Sequence, residues 1–124
     1  MFTMAKMDYV DLFALPLPKK NLTKYRKLAN QFGKIIKDLG AIEYREFVGD
    51  DLHVKGMTSW TSHIKIKKGE VLIGSFVIYR SRSQRDQVNK KMMKDPRMKK
   101  LMEAPIMFDM KKMLYGGFKT IVNV

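Results

Sequence analysis

Two periodicities alternate along this chain. From Met7 to Leu15 apolar side chains fall close together: Met7 and Tyr9, then the cluster of Val10, Leu12, Phe13 and Leu15. That density predicts a strand with at least one buried face. The segment PLPKKN predicts its end, because proline cannot donate to the ladder of a central strand. The period then changes. Leu22, Tyr25, Leu28, Ala29, Phe32, Ile35, Ile36 and Leu39 recur at spacings of three and four, so they share one face of a long helix. Asn21 is the expected N-cap and Gly40 the expected stop. Lys24, Lys27, Lys34 and Lys37 fall elsewhere on the helix surface.

Alternation returns in AIEYREFV, which predicts a second strand over 41–48 with Ile42, Tyr44 and Glu46 on one side and Glu43, Arg45 and Phe47 on the other. GDDLHVKGMTSWTSH has no clean period and reads as a long excursion. VLIGSFVIY, Val71–Tyr79, is almost continuously apolar and β-branched, as in a central strand buried on both faces. A second helix starts near Ser81 or Ser83, with Val88, Met92 and Met93 inward, and Pro96 enforces a boundary at Asp95. A short helix follows over Arg97–Met102. In MLYGGFKTIVNV a last strand is interrupted at Gly116–Gly117, where a bulge or a close backbone approach is expected.

The order β, α, β, excursion, β, α, β describes a single-domain α+β ferredoxin-like sandwich over residues 1–124, with both helices on one face of the sheet. The other face still carries Tyr, Phe, Val and Ile side chains, and a second copy of the chain is the expected cover.

Three stretches carry a resemblance. YVDLFALPLPKKNLTKYRKLA, FVIYRSRSQRDQVNKKMMKDPRM and FDMKKMLYGGF resemble the bacterial family of unknown function numbered 1428. That family lies in the dimeric α/β-barrel superfamily of ferredoxin-like folds. The resemblance implies the same fold and a dimer, and it implies no activity. Superfamily relatives include cofactor-independent monooxygenases, haem peroxidases, lactone isomerases and proteins that only bind, so fold alone transfers no chemistry.

Composition narrows the chemistry. The chain lacks cysteine, which excludes disulfides, thiolate metal sites and a cysteine nucleophile, and fits a reducing cytoplasm. Lys6, Asp8 and Asp11 interrupt the apolar start before a signal-peptide core or membrane span forms. The net charge is +13, uneven along the chain: twelve basic against four acidic residues in 80–124, but five of each in 41–79. Most such charge runs are solvated faces.

The two histidines, His53 and His63, lack metal-ligand spacing, and no carboxylate set joins them, so neither metal nor organic cofactor is expected. An axial haem role for His63 finds no supporting pattern. No Walker loop, nucleophile elbow or dinucleotide fingerprint occurs. Asp95, Pro96 and Arg97 read as a helix junction, and Asp86 as an acid complementing a helix N-terminus. The methionines Met92, Met98, Met102, Met110 and Met113 read as core packing.

The leading expectation is a cytoplasmic homodimer that holds a small organic molecule in a cavity beside the sheet. Tyr9, Trp60, Tyr79 and Tyr115 are the expected lining. His63 or Asp109 is the expected base if the ligand is converted, in the manner of a cofactor-independent isomerase or oxygenase. The alternatives are polyanion or RNA binding through Lys24, Lys27, Lys34, Lys37, Lys90, Lys91, Lys94, Lys99 and Lys100, and a dimer with a structural role only. The aromatic string of an RNA-recognition module is missing.

Overall fold

The computed structural model describes residues 8–124, so the expected strand start at Met7 lies outside the described residues. Four strands, β1 (Tyr9–Pro18), β2 (Glu43–Val48), β3 (Glu70–Tyr79) and β4 (Leu114–Lys119), form one antiparallel sheet in the order β2-β3-β1-β4. Helices α1 (Leu22–Asp38), α2 (Arg82–Lys94) and α3 (Pro96–Leu101) cover one face. This is the ferredoxin-like α+β arrangement, and the sheet stays open, with β2 and β4 as its edges. Among the described residues no helix is long and apolar enough to cross a membrane.

Strand β1 runs straight through Pro16 and Pro18, against expectation, pairing them with Leu72 and Glu70. The reason is directional. Even-numbered residues of β1 turn their backbone groups toward β4, as the Asp8 carbonyl does in accepting from Thr120 N–H at 3.1 Å. Pairing with β4 ends at Ala14, so the ring nitrogens of Pro16 and Pro18 face a side where no strand needs a donor. Strand β4 in turn keeps an unbroken register from Lys119 opposite Tyr9 to Leu114 opposite Ala14, so Gly116–Gly117 is no bulge. It is a close approach instead: a Cβ on Gly117 would collide with the ring and hydroxyl of Tyr9.

Strand alternation sends Tyr9, Asp11, Phe13, Leu15 and Leu17 to the helix side. There Ile35 and Ile36 of α1, Val77 and Tyr79 of β3, Val88 of α2 and Met98 of α3 close into one core, while Leu15, Leu17, Tyr25 and Ile73 close into another. On the opposite side the 49–69 excursion lays Ile64 and Leu52 over Ala14 and Leu72, which covers part of that face. Leu12, Phe47, Leu114 and Phe118 on the same face stay about half exposed.

Caps set the helix ends. Ser81 accepts from Gln84 N–H at 3.0 Å to start α2, and Asp95 accepts from Arg97 N–H at 2.8 Å to start α3 with Pro96 in the first position. Asn21 does not cap α1. A 3-10 turn over Lys19–Asn21 precedes the helix, and the Asn21 amide donates to the Met107 carbonyl at 2.9 Å, tying α1 to the segment before β4. Gly40 ends α1 at φ 127°, a backbone conformation that favours glycine. The methionines divide. Met98 is buried, and Met92 and Met113 pack against the core, whereas Met93, Met102 and Met110 lie exposed. The Met93 side chain is on the wrong side of α2 to reach Val88's neighbours, since positions one apart on a helix face apart.

Candidate ligand groove and a buried ion-pair cluster

The six residues expected to line one cavity do not share one. Tyr9, Tyr79 and Tyr115 converge between the sheet and α2. Trp60 and His63 belong to an exposed 3-10 turn of the excursion, whose Ile64 packs on the other side of the sheet. Asp109 is exposed and caps a 3-10 turn by accepting from Lys111 N–H at 3.0 Å. His63 and Asp109 therefore stand on opposite sides of the sheet. His53 shares a hydrogen bond with Ser59 Oγ at 3.1 Å.

What draws the three tyrosines together is an ion pair that the sequence pattern did not disclose. Asp11 points inward from near the start of β1 and is 2% exposed. Arg85, from the first turn of α2, sends Nη1 to Asp11 Oδ1 at 2.7 Å and to the Tyr115 hydroxyl oxygen at 2.6 Å, while its Nε donates to Asp86 Oδ1 at 2.8 Å. Its guanidinium lies 5.0 Å from the centre of the Tyr9 ring. The Tyr115 ring packs on Phe13 at 4.9 Å. Burial raises the Asp11 carboxyl above its ordinary value, against the opposing pull of Arg85. Tyr79 and Tyr115 are raised as well, first by burial and then by the charge of Asp11. The guanidinium is committed to two carboxylates, a phenol and a ring, so the cluster is a clamp between α2, β1 and β4 rather than an open site.

The open site lies on the other side of the helix layer, between α1 and edge strand β2. A groove of about 820 Å³ is walled by Leu22, Ala29, Val48 and Ile73 and rimmed by Arg26, Lys34, Lys37 and Arg45. Its chemistry follows from two periodicities meeting. Alternation along β2 turns Tyr44 and Glu46 toward the helices, opposite the buried Val77 and Ser75. The helical repeat of α1 brings buried Tyr25 and Gly33 onto the same line. Tyr25 donates its hydroxyl to Glu46 Oε1 at 2.6 Å, and Tyr44 donates to Glu46 Oε2. Gly33 has no room for a Cβ because the Tyr44 ring occupies that space, and Phe32 holds the ring edge-on at 5.4 Å.

Burial raises the Glu46 carboxyl above its ordinary value, and the two phenol donors oppose that rise. Both phenols are pushed far above the usual tyrosine range, first by burial and then by the adjacent carboxyl. The protons stay on the tyrosines, and the group poised to take or release one is Glu46. Among the described residues no group of three or more His, Asp or Glu is placed to hold a metal ion.

Comparison with known proteins adds family and fold. A family model described as "Protein of unknown function (DUF1428)" matches residues 8–110. The chain belongs to this family. Among DUF1428 relatives, the "Uncharacterized protein YbaA" of Escherichia coli strain K12 is 35% identical over 117 residues, covering 94% of this chain and 99% of that protein. A YbaA of Shigella flexneri matches equally. Among solved structures, a protein described as a dimeric ferredoxin-like protein from an uncultured marine organism superposes with a TM-score of 0.51 at 10% identity, covering 95% of this chain and 99% of that one. At that identity the likeness concerns the fold alone.

None of the six residues expected to line a cavity borders the groove of this DUF1428 protein, whereas Lys27, Lys34 and Lys37, expected only as polyanion contacts, do. Glu46 was legible only as an acid on the same side of a strand as Tyr44. An inward carboxylate between two apolar positions requires donors, and that requirement was the available signal. Asp11 gave the same signal between Tyr9 and Phe13.

Proposed function

We propose that this DUF1428 protein binds a small organic anion in the α1–β2 groove, acting in the cytoplasm as a homodimer without metal or organic cofactor. The observation that carries this reading is Glu46, held by two tyrosine hydroxyls on the floor of a groove with apolar walls and a cationic rim. The cations suit a carboxylate or phosphate on the ligand, the walls suit its apolar body, and Glu46 offers a hydrogen-bonding group inside. A raised carboxyl beside two phenols also favours a second reading, proton transfer on the bound ligand as in a cofactor-independent isomerase.

The test is a thermal-shift screen of aliphatic and aromatic organic acids at moderate salt. A rise in Tm that persists with salt and is lost in the Lys34→Gln/Lys37→Gln variant supports the groove. No shift from any acid, or an equal shift in that variant, sinks it. The dimer is supported by the half-exposed Leu12, Leu114 and Phe118 on the uncovered sheet face, and by the fact that the marine structural neighbour is described as dimeric. Sedimentation equilibrium tests it: a dimer that dissociates on Leu12→Asp is expected, and a monomeric wild type contradicts it.

A further inference from the structure

The helix layer has a charge imbalance larger than the groove uses, since only Arg26, Lys27, Lys34 and Lys37 of α1 border that groove. Helix α1 carries five Lys and Arg, α2 five and α3 three, thirteen in all, against Asp38, Asp86 and Asp95 on or between these helices. Each of those acids is already neutralised by an arginine. Arg97 reaches Asp38 at 2.7 Å and Asp95 at 3.0 Å, and Arg85 reaches Asp86 at 2.8 Å. No lysine takes part in an ion pair among the described residues, where every pair uses an arginine. Lys24, Lys27, Lys34, Lys37, Lys90, Lys91, Lys94, Lys99 and Lys100 are all exposed. The Arg97–Asp38 bridge ties α3 to α1, so these cations lie on one continuous layer.

The same layer is poor in apolar anchors. Of the large exposed hydrophobic residues among those described, only Met93 lies within the three helices, with Met102 directly after α3. A bilayer-seated surface presents apolar side chains for insertion beside its cations, and a protein interface centres on apolar or aromatic anchors. A surface of unpaired lysines with almost nothing to insert fits a polyanion met through charge alone. We propose that the helix layer binds the phosphodiester backbone of nucleic acid without reading its sequence, Lys90, Lys91 and Lys94 of α2 being central to the contact. Lysines suit phosphates as point charges, and binding releases the counterions condensed on the backbone.

The experiment is fluorescence anisotropy of the full chain with a labelled DNA duplex, an RNA duplex of equal length and, in a separate arm, anionic vesicles. About five phosphate contacts on a duplex predict a slope near −4.5 in log affinity against log salt, a loss of several hundredfold between about 50 and about 200 mM. Lys90→Gln/Lys91→Gln/Lys94→Gln reduces that slope by about three, roughly one per lysine removed. The control Lys65→Gln/Lys67→Gln/Lys68→Gln removes the same charge from the excursion and leaves the slope unchanged. Binding to both duplexes identifies the backbone; binding to one alone identifies that polymer as the partner. Equal losses in the two triple variants, binding independent of salt, or binding to vesicles with none to either duplex overturns the proposal.

Discussion

Arg85 and Asp11 meet at 2.7 Å across 74 residues of sequence, and the carboxylate is 2% exposed where they meet. The pair joins the first turn of α2 to the central strand. Tyr115 of β4 shares the same guanidinium nitrogen, so three elements from distant parts of the chain depend on one side chain.

Arg85→Met leaves Asp11 buried without its counter-charge. Breaking a buried pair from one side costs roughly 3–5 kcal/mol. Urea unfolding should show a loss of that size. Asp11→Asn added to Arg85→Met should recover part of it, because the uncompensated charge is then gone. A single variant as stable as wild type would show that the clamp contributes nothing.

Glu46 gives stability a definite dependence on pH. Its folded value lies above the ordinary 4.5, so between those two values the native chain binds more protons than the unfolded chain. Its contribution is complete below about 4.5 and is lost as pH rises through the folded value. Glu46→Gln has no such proton. The stability difference between variant and wild type should therefore shift in favour of Glu46→Gln as pH climbs from 4.5 toward neutrality. A constant difference across that range would contradict the placement of Glu46.

The tyrosines titrate unequally. Burial and the neighbouring carboxyls hold Tyr25, Tyr44 and Tyr79 well above the ordinary 10 of a free phenol. Unfolding lets them ionise there, so their stabilising contribution is present below pH 10 and is lost above it. In an ultraviolet titration, phenolate absorbance from these three should appear only together with loss of the far-ultraviolet helix signal.

Two glycines are filled space rather than hinges. Gly33→Ala gains at most about 1 kcal/mol of helix propensity. It also drives a methyl into the Tyr44 ring, and overpacking of that kind costs roughly 1–3 kcal/mol. Net destabilisation is expected, together with loss of organic-acid binding as Tyr44 leaves Glu46. Gly117→Ala meets Tyr9, whose ring is buried under Arg85, and should cost a similar amount while leaving the α1–β2 groove intact.

The fold was legible wherever one face of an element is apolar and the other polar. Tyr25, Ile35 and Ile36 of α1 lie buried as their period requires, because burial of a stripe is what the periodicity encodes. Val71–Tyr79 of β3, expected to be buried on both faces, buries Ile73, Ser75, Val77 and Tyr79 on the helix side and leaves Phe76 and Ile78 only part-buried on the other. Pro16 and Pro18 misled because proline's cost depends on whether a neighbouring strand needs its donor, and the length of β4 decides that about a hundred residues later. Met93, Met102 and Met110 misled because an apolar side chain at a helical spacing does not reveal which residues cover it. The groove stayed hidden for a related reason. Tyr25 and Tyr44 look like ordinary core positions, and only the pairing of β2 with β3 sets their hydroxyls around Glu46.

The place of β1 bears on the order in which the molecule can assemble. Its backbone is hydrogen-bonded to β3 on one side and β4 on the other, so the first of the four described strands is completed by the fourth. While the chain is emerging from the ribosome at about 5–20 residues per second, one row of donors and acceptors on that strand waits for residues 114–119. The α1–β2 groove needs only β1, α1, β2 and β3 and can take shape earlier. The clamp on Asp11 is complete only once Tyr115 has arrived, so that corner of the sheet is the part of the described fold that depends on its fourth strand.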